Sequence, residues 1–498
     1  MAAVQIAGFL PDADPTTPGV WTACDGWIPT TKGMRAAYEP ISVGYAALAA
    51  ACTGAVIARL VAGTTRILAG TATKLYDIQS GAWTSVTRQD GGSDDDYASG
   101  SERWRFAQVG NVTLAVNHED LPQYSITSGY FDDLANMPKA RYIDTSAATA
   151  GSFVMLGGTD DTSLGISGGP NSEDDNRVWW SGIGDYTEWA PSLATQSGTL
   201  QLVDTPGPIT GLKQLGDYMI AYKARAVYVL TYGGATVLWG ARCVSNEIGA
   251  LSNECVINTG LAHYFIGQDS IYRFSGDVPV DIGSGIRNYL ADDLDYSAAA
   301  KVMGCYDKRR DLLVWYYPST TGGGAIDHWV AFHITTGQWG AGTTTIEACL
   351  EAVGESVTYD NFGGGLTYDT LPDVVFDSDY WSAGRSFTAV FNSSHTLCAL
   401  TGASGTNSFS TGYLGNDKDF SFVKRLTPRW LQQPTSATCE HSYTNELGTA
   451  TSSNTAVNMT EGRFDLRQSA RWHKFAVTTV GNAEVSWLDT DGVAAGKE

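Results

Sequence analysis

Basic residues are in short supply: 31 Lys and Arg stand against 53 Asp and Glu, a formal net charge of −22 over 498 residues. That balance favours solubility and works against broad adhesion to nucleic acid, whose phosphates it repels. Cysteine is sparse as well. The eight, at 24, 52, 243, 255, 305, 349, 398 and 439, form no C-x-x-C pair, which speaks against a disulfide framework or a zinc site and for free, half-buried thiols in a reducing compartment. Long apolar runs are missing. The most apolar stretch, 45–61, is Ala-rich and broken by Thr53, Gly54 and Arg59, too polar and short to span a bilayer. The opening Met1-Ala-Ala-Val-Gln-Ile6 has no basic n-region and no apolar core, so no secretory signal is expected. Helical periodicity is rare too. Its best example is Ile286–Leu294, apolar at 286, 290 and 294, a stripe that predicts one short helix packed between sheets.

What the chain does have is Gly (56), Tyr (24) and Trp (15). They fall into a recurring phrase: an apolar run, a Gly followed by Asn, Asp or Gln, then a second run carrying aromatic or β-branched residues. Three copies are clear, at Phe106–Val116 around Gly110-Asn111, at Leu212–Tyr222 around Gly216-Asp217, and at His263–Phe274 around Gly267-Gln268. Each reads as strand, tight turn, strand, since Gly, Asn and Asp tolerate the positive φ of such turns. A lone hairpin buries too little to be stable, so many of them imply sheets stacked on sheets. A second phrase, strand then Ser/Thr-Gly turn then Trp, occurs at 74–83 and 330–339, with a looser version at 179–189. A Trp in that place is suited to plugging the gap between neighbouring sheets. The expected fold is all-β: a β-propeller of six or seven blades over 51–402, with blades near 55–88, 101–128, 150–195, 208–240, 255–285, 300–347 and 372–402, close to known blade periods. The Pro-punctuated residues 1–50 read as an extended N-terminal arm, 403–416 as a Gly/Ser/Thr linker, and 417–498 as a small C-terminal β-sandwich-like module.

No catalytic constellation stands out, and the expectation is a protein that is not an enzyme, without cofactor or bound metal. Gly165-Ile-Ser-Gly-Gly169 spells a nucleophile elbow, but Pro170-Asn-Ser-Glu-Asp-Asp-Asn176 follows it where that chemistry needs a helix. The seven His are scattered, and none sits at metal-ligand spacing from two others. The phrases at 77–83 and 333–339 lack the Asp that a sialidase box places inside its turn. Lys308, Arg309 and Arg310, flanked by Asp307 and Asp311, read as a solvated hairpin tip. The acidic loops Asp94, Asp95, Asp96 and Glu173, Asp174, Asp175 are candidates to face a pore or a partner. In the C-terminal module Lys424, Arg425, Arg429, Arg467 and Arg471 are candidates for docking on an acidic neighbour, because residues 417–475 carry eight basic and six acidic side chains.

Several framework phrases carry a resemblance: Pro208-Ile-Thr-Gly-Leu212, Leu215–Tyr222, Ala226–Gly234, Tyr264–Gly276, Tyr306–Trp315 and Gly462–Trp472. Through them the chain resembles the tail nozzle, or packaged-DNA stabilisation, proteins of short-tailed bacteriophages. The resemblance covers about half the chain, and Ala470 departs from it, standing where the pattern has Gly. It implies a structural virion protein of the tail, assembled in the host cytoplasm. It also implies a homohexameric ring below portal and adaptor that retains the genome and guides its ejection. The partners implied are the adaptor, other tail proteins such as fibre or needle, and double-stranded DNA in passage, without membrane insertion. It supplies no catalytic residues. The alternatives are a propeller glycosidase or lyase and a receptor-binding tail protein.

Overall fold

The computed structural model describes residues 4–79, 81–98, 102–148, 151–162, 164–234, 236–353 and 386–497. Five separate four-stranded antiparallel sheets follow one another along the chain, at 54–85, 105–133, 139–201, 209–245 and 257–281. Two more lie inside a larger sheet, which makes seven. The sixth runs Met303–Asp307, Leu312–Pro318, Ile326–His333 and the first half of Trp339–Val353. The seventh uses the second half of that long strand, then Ser386–Asn392, Leu397–Gly402 and finally Glu39–Ser42. Of the seventh blade as expected from sequence, the part before 386 lies outside the described residues.

Side-chain alternation turns these sheets into a ring, because successive residues of a strand point to opposite faces. In the first sheet Leu68 packs with Ala115 and Phe131 of the second, while its neighbours Ile67 and Ala69 pack with Ala389, Phe391 and Leu397 of the seventh. In the fourth, Met219 and Ala221 face Phe153 and Met155 of the third, whereas Ile220 and Tyr222 face Tyr264 and Phe265 of the fifth. The second and third sheets share Leu114, Ile143 and Leu156, and the sixth and seventh share Val314, Trp329, Val390 and Cys398. The circle closes, and the molecule is a seven-bladed β-propeller. Each fully buried Leu, Ile or Phe contributes about 1.5–3 kcal/mol, and both faces of every blade are used.

The three hairpins form as the sequence predicts. Gly110 and Gly216 both sit at φ 57°, in the left-handed region where a side chain is strained, and they join Arg105–Val109 to Val112–Val116 and Ile209–Leu215 to Tyr218–Lys223. The helix also forms, over Arg287–Asp293, with Leu290 buried.

The termini differ from expectation. Residues 9–12 do lie on the propeller, with Phe9 edge-on to Tyr289 and Asp12 accepting from Asn288 N and Tyr289 N, but the extended stretches on either side are no arm. They are strands of the C-terminal module: Val20–Asp25 pairs with Thr406–Thr411, Val4–Gln5 and Gly33–Ala36 pair with Glu484–Lys497, and Trp27–Thr30 touches the sixth blade at Ala341. The stretch 403–416 is likewise no linker, since Thr406–Thr411 is a strand held between two others. Two sheets pack face to face around Trp21, Trp27, Met34, Phe409, Val423, Phe464, Phe475 and Val485. Trp21 stacks on Phe409 at 4.0 Å and meets Trp27 edge-on at 5.5 Å, so aromatic surface from both ends of the chain fills one core. Glu39–Ser42 then carries the chain into the propeller as the outer strand of blade seven.

Candidate functional site

The innermost strands converge on a central cavity of about 230 Å³. Its charged lining comes from different blades. Trp104 anchors one wall: its ring is buried between blades one and two against Tyr97, and its indole Nε1 donates to the Thr71 carbonyl at 2.9 Å. In an extended segment the residues on either side of a buried one point the other way, which sends Arg103 and Arg105 into the cavity. Lys213 comes from the first strand of blade four, and Glu254 from the turn before blade five. That turn is pinned from two sides. Leu212 N donates to Asn253 Oδ1 at 3.0 Å, and Gly304 N of blade six donates to the Glu254 carbonyl at 2.8 Å.

Arg105 grips Glu254 with two donors, Nε to Oε1 at 2.6 Å and Nη2 to Oε2 at 3.1 Å. Burial pushes the Glu254 carboxyl up in pKa, but the Arg105 guanidinium, helped by Arg103 and Lys213, outweighs it and holds the group at about 2. Arg105 is raised in turn: burial works against its charge and Glu254 overcomes it. Among the described residues Arg103 has no bonded carboxylate, and Glu254 acts on it only through its field. Burial, with Arg105 as a like-charged neighbour, lowers its pKa. Outside the lining, Lys213 acts on Asp144, whose oxygens accept from Gln214 N and Thr145 N and whose pKa burial raises against the pull of Lys213. Among the described residues the lining thus holds three cations, Arg103, Arg105 and Lys213, against the single carboxylate of Glu254.

The acids singled out in the sequence are ion-paired on their own propeller. Asp94 and Asp96 bracket Lys74 at 2.9 and 3.3 Å, and Asp95 meets Arg88 at 2.8 Å. Asp175 accepts from Arg141 Nε at 3.0 Å, and Asp174 lies 3.4 Å from Arg177. Glu173 is 3.5 Å from His118 Nε2 and 4.0 Å from Arg141. His118, Glu173 and Asp175 bring one imidazole and two carboxylates within 4.8 Å of one another, a set able to hold a divalent cation. The Arg141 guanidinium, bonded to Asp175 and to Glu102 at 3.0 Å, already stands there as the cation of the group. The Arg141 carbonyl also accepts from Arg105 Nη1 at 2.8 Å, which sets this charged cluster beside the central cavity.

The basic residues of the C-terminal module lie together without forming a basic patch. Lys424, Arg425, Arg429 and Arg467 are exposed on the adjoining strands Asp419–Gln432 and Phe464–Ala470. Arg425 pairs with Asp465 at 2.6 Å, and the next strand brings the exposed Asp489 and Asp491 alongside. Arg471 lies over the Phe420 ring at 4.9 Å. The face is of mixed charge. Sequence reading passed over Arg103, Arg105, Lys213 and Glu254, although a charged residue beside the apolar start of a blade was the signal that could have marked them.

No family model and no curated protein matches the chain. Solved structures similar to it include BBS1N in complex with ARL6DN (TM-score 0.40, 8% identity, 76% of this chain and 97% of that one). BamB from Moraxella catarrhalis is also similar (TM-score 0.38, 11% identity, 75% and 95%), as is YCF48 bound to D1 peptide (TM-score 0.37, 10% identity, 73% and 95%). At these scores the likeness carries no functional argument, and the propeller rests on its own strand pairing.

Proposed function

We propose that this protein is a structural component of a short-tailed phage tail, a nozzle subunit that forms part of the DNA channel below portal and adaptor. The observation that carries the reading is the union of propeller and sandwich. One sheet runs from blades six and seven through Trp27–Thr30 and Gly33–Ala36 into the C-terminal module, and both chain ends are tied into it. A block so braced suits a load-bearing wall, and the framework phrases at 208–318 and 418–475 resemble those of the nozzle family. Copies arranged by closed cyclic symmetry enclose an axial channel with a single kind of interface.

The channel in this reading lies between subunits. The propeller's own cavity, about 230 Å³ and lined by Arg103, Arg105 and Lys213, is far too small for a duplex whose major groove alone is about 12 Å wide. The net charge of −22 lets phosphates slide past instead of adhering. Negative-stain microscopy of the purified protein, alone and mixed with adaptor, tests the proposal, with labelling of virions by antibody against it as the second arm. Rings that cap the adaptor and label at the tail are expected. Monomers that ignore the adaptor and an unlabelled virion would overturn it.

A further inference from the structure

We propose that the central cavity of the propeller is a binding site for one small oxyanion, of the phosphate, sulfate or carboxylate class, held by Arg103 and Lys213. Three observations carry it. The cavity is lined by blades one to four, six and seven and by the turn before blade five, and has room for a small ion, at about 230 Å³. Its lining has two more positive than negative groups, in a chain whose overall charge is −22. The one carboxylate in the lining is already taken, because both Glu254 oxygens accept from Arg105.

Arg103 and Lys213 make no hydrogen bond or ion pair of their own among the described residues, and Asp144 stays outside ion-pair reach of Lys213. Glu254 must balance these two cations as well as Arg105, to which it is bonded, and a charge-assisted bond from each to a shared oxyanion offsets the remaining cost of burying them. The guanidinium of Arg103 offers a planar fork of donors and the Lys213 ammonium a point charge, a pair suited to an anionic oxygen cluster. Glu254 and Arg105 frame the site. Glu254 stays ionised down to about pH 2, and Arg105, already bonded to it by two donors, acts on the site through its field. Since the lining comes from six blades and from the turn before blade five, a bound anion ties the ring together at its axis.

Thermal unfolding of the intact protein tests this, in chloride buffer at fixed ionic strength with added phosphate, sulfate or acetate. A ligand that binds only the folded state raises the melting temperature in a saturable way. A rise of roughly 2–6 °C is expected for the anion that fits, and the phosphate, sulfate and acetate arms tell a tetrahedral oxyanion from a carboxylate. Arg103→Gln and Lys213→Met should each lose that rise, measured against the same variant in chloride alone. An equal rise in wild type and variants, or no rise with any of the three, overturns the site. Should a variant fail to fold, crystals of the wild type soaked in selenate decide the matter. An anomalous peak between Arg103 and Lys213 supports the site, and an empty cavity overturns it.

Discussion

Glu254 shows how much one carboxylate carries at the residue scale. It is the lone anion among three cations of the cavity lining, and its pairing with Arg105 is bidentate. Glu254→Gln leaves Arg105 without its partner beside Arg103 and Lys213. Breaking a buried pair from one side costs about 3–5 kcal/mol, so urea unfolding of this variant should show a loss of that size. A loss below about 1 kcal/mol would mean that solvent screens the group. Histidines supply a second prediction. His441 and His473 are fully buried and joined, Nε2 to Nδ1, at 2.9 Å, and His263 is buried between the Tyr222 hydroxyl and the Gln214 carbonyl, each at 2.8 Å. Burial lowers His441 and His263 to about 4. The folded state therefore binds fewer protons than the unfolded one, whose His titrates near 6.5. The stability these groups contribute is complete above pH 6.5 and is lost as pH falls from 6.5 towards 4, roughly 3 kcal/mol for each. Melting temperature measured from pH 7.5 to 4 should drop across that window, and His441→Phe should flatten part of the slope. A profile that is level down to pH 4.5 would contradict this origin.

Among the elements, what was legible in the sequence depended on how far apart the partners lie. A hairpin is local: Gly110 and Gly216 announce their turns within ten residues, and six blades fall close to the intervals that those turns suggest. The seventh draws its outer strand, Glu39–Ser42, from the other end of the chain to pair with Leu397–Gly402, and no local pattern encodes a partner some 360 positions away. The N-terminal strands were missed for the same reason. Pro11, Pro15 and Pro18 made them look irregular, whereas the buried Trp21 and Trp27 belonged to a core completed by Phe409. The cavity charges were missed because Arg103 and Arg105, Lys213 and Glu254 lie far apart in the chain and only the ring assembles them. This topology makes a prediction about truncation. A chain lacking residues 1–43 loses the outer strand of blade seven and both buried tryptophans of the sandwich core, Trp21 and Trp27, leaving Phe409, Leu397 and Ala399 uncovered. It should express as an aggregation-prone or protease-sensitive species, read by limited proteolysis and circular dichroism. Had the segment merely strapped a neighbouring subunit, the truncated chain would fold normally and fail only in assembly.

For the whole molecule, the question is what its excess negative charge does if copies line a channel. The acids first in view are the most exposed of the two loops: Asp95 at 48%, Asp96 at 55% and Glu173 at 56% of the side chain. Their ion pairs with Arg88, Lys74 and His118 are solvent-screened and contribute little to stability, of order 0–1 kcal/mol each. Replacing all three by Lys should therefore leave the fold intact while changing the local charge by six units per copy, a change multiplied by the number of copies in a ring. If these loops face passing DNA, the substituted surface gains counterion-release attraction for phosphates, and genome ejection from virions carrying the variant should slow. The slowing should fade as salt shortens the Debye length from about 10 Å at 0.1 M to about 3 Å at 1 M. The melting temperature of the isolated variant serves as the control. A variant that folds as wild type and ejects at the same rate at every salt concentration would place these acids on an outer surface, and the repulsive wall would then have to be sought in the rest of the acidic surface.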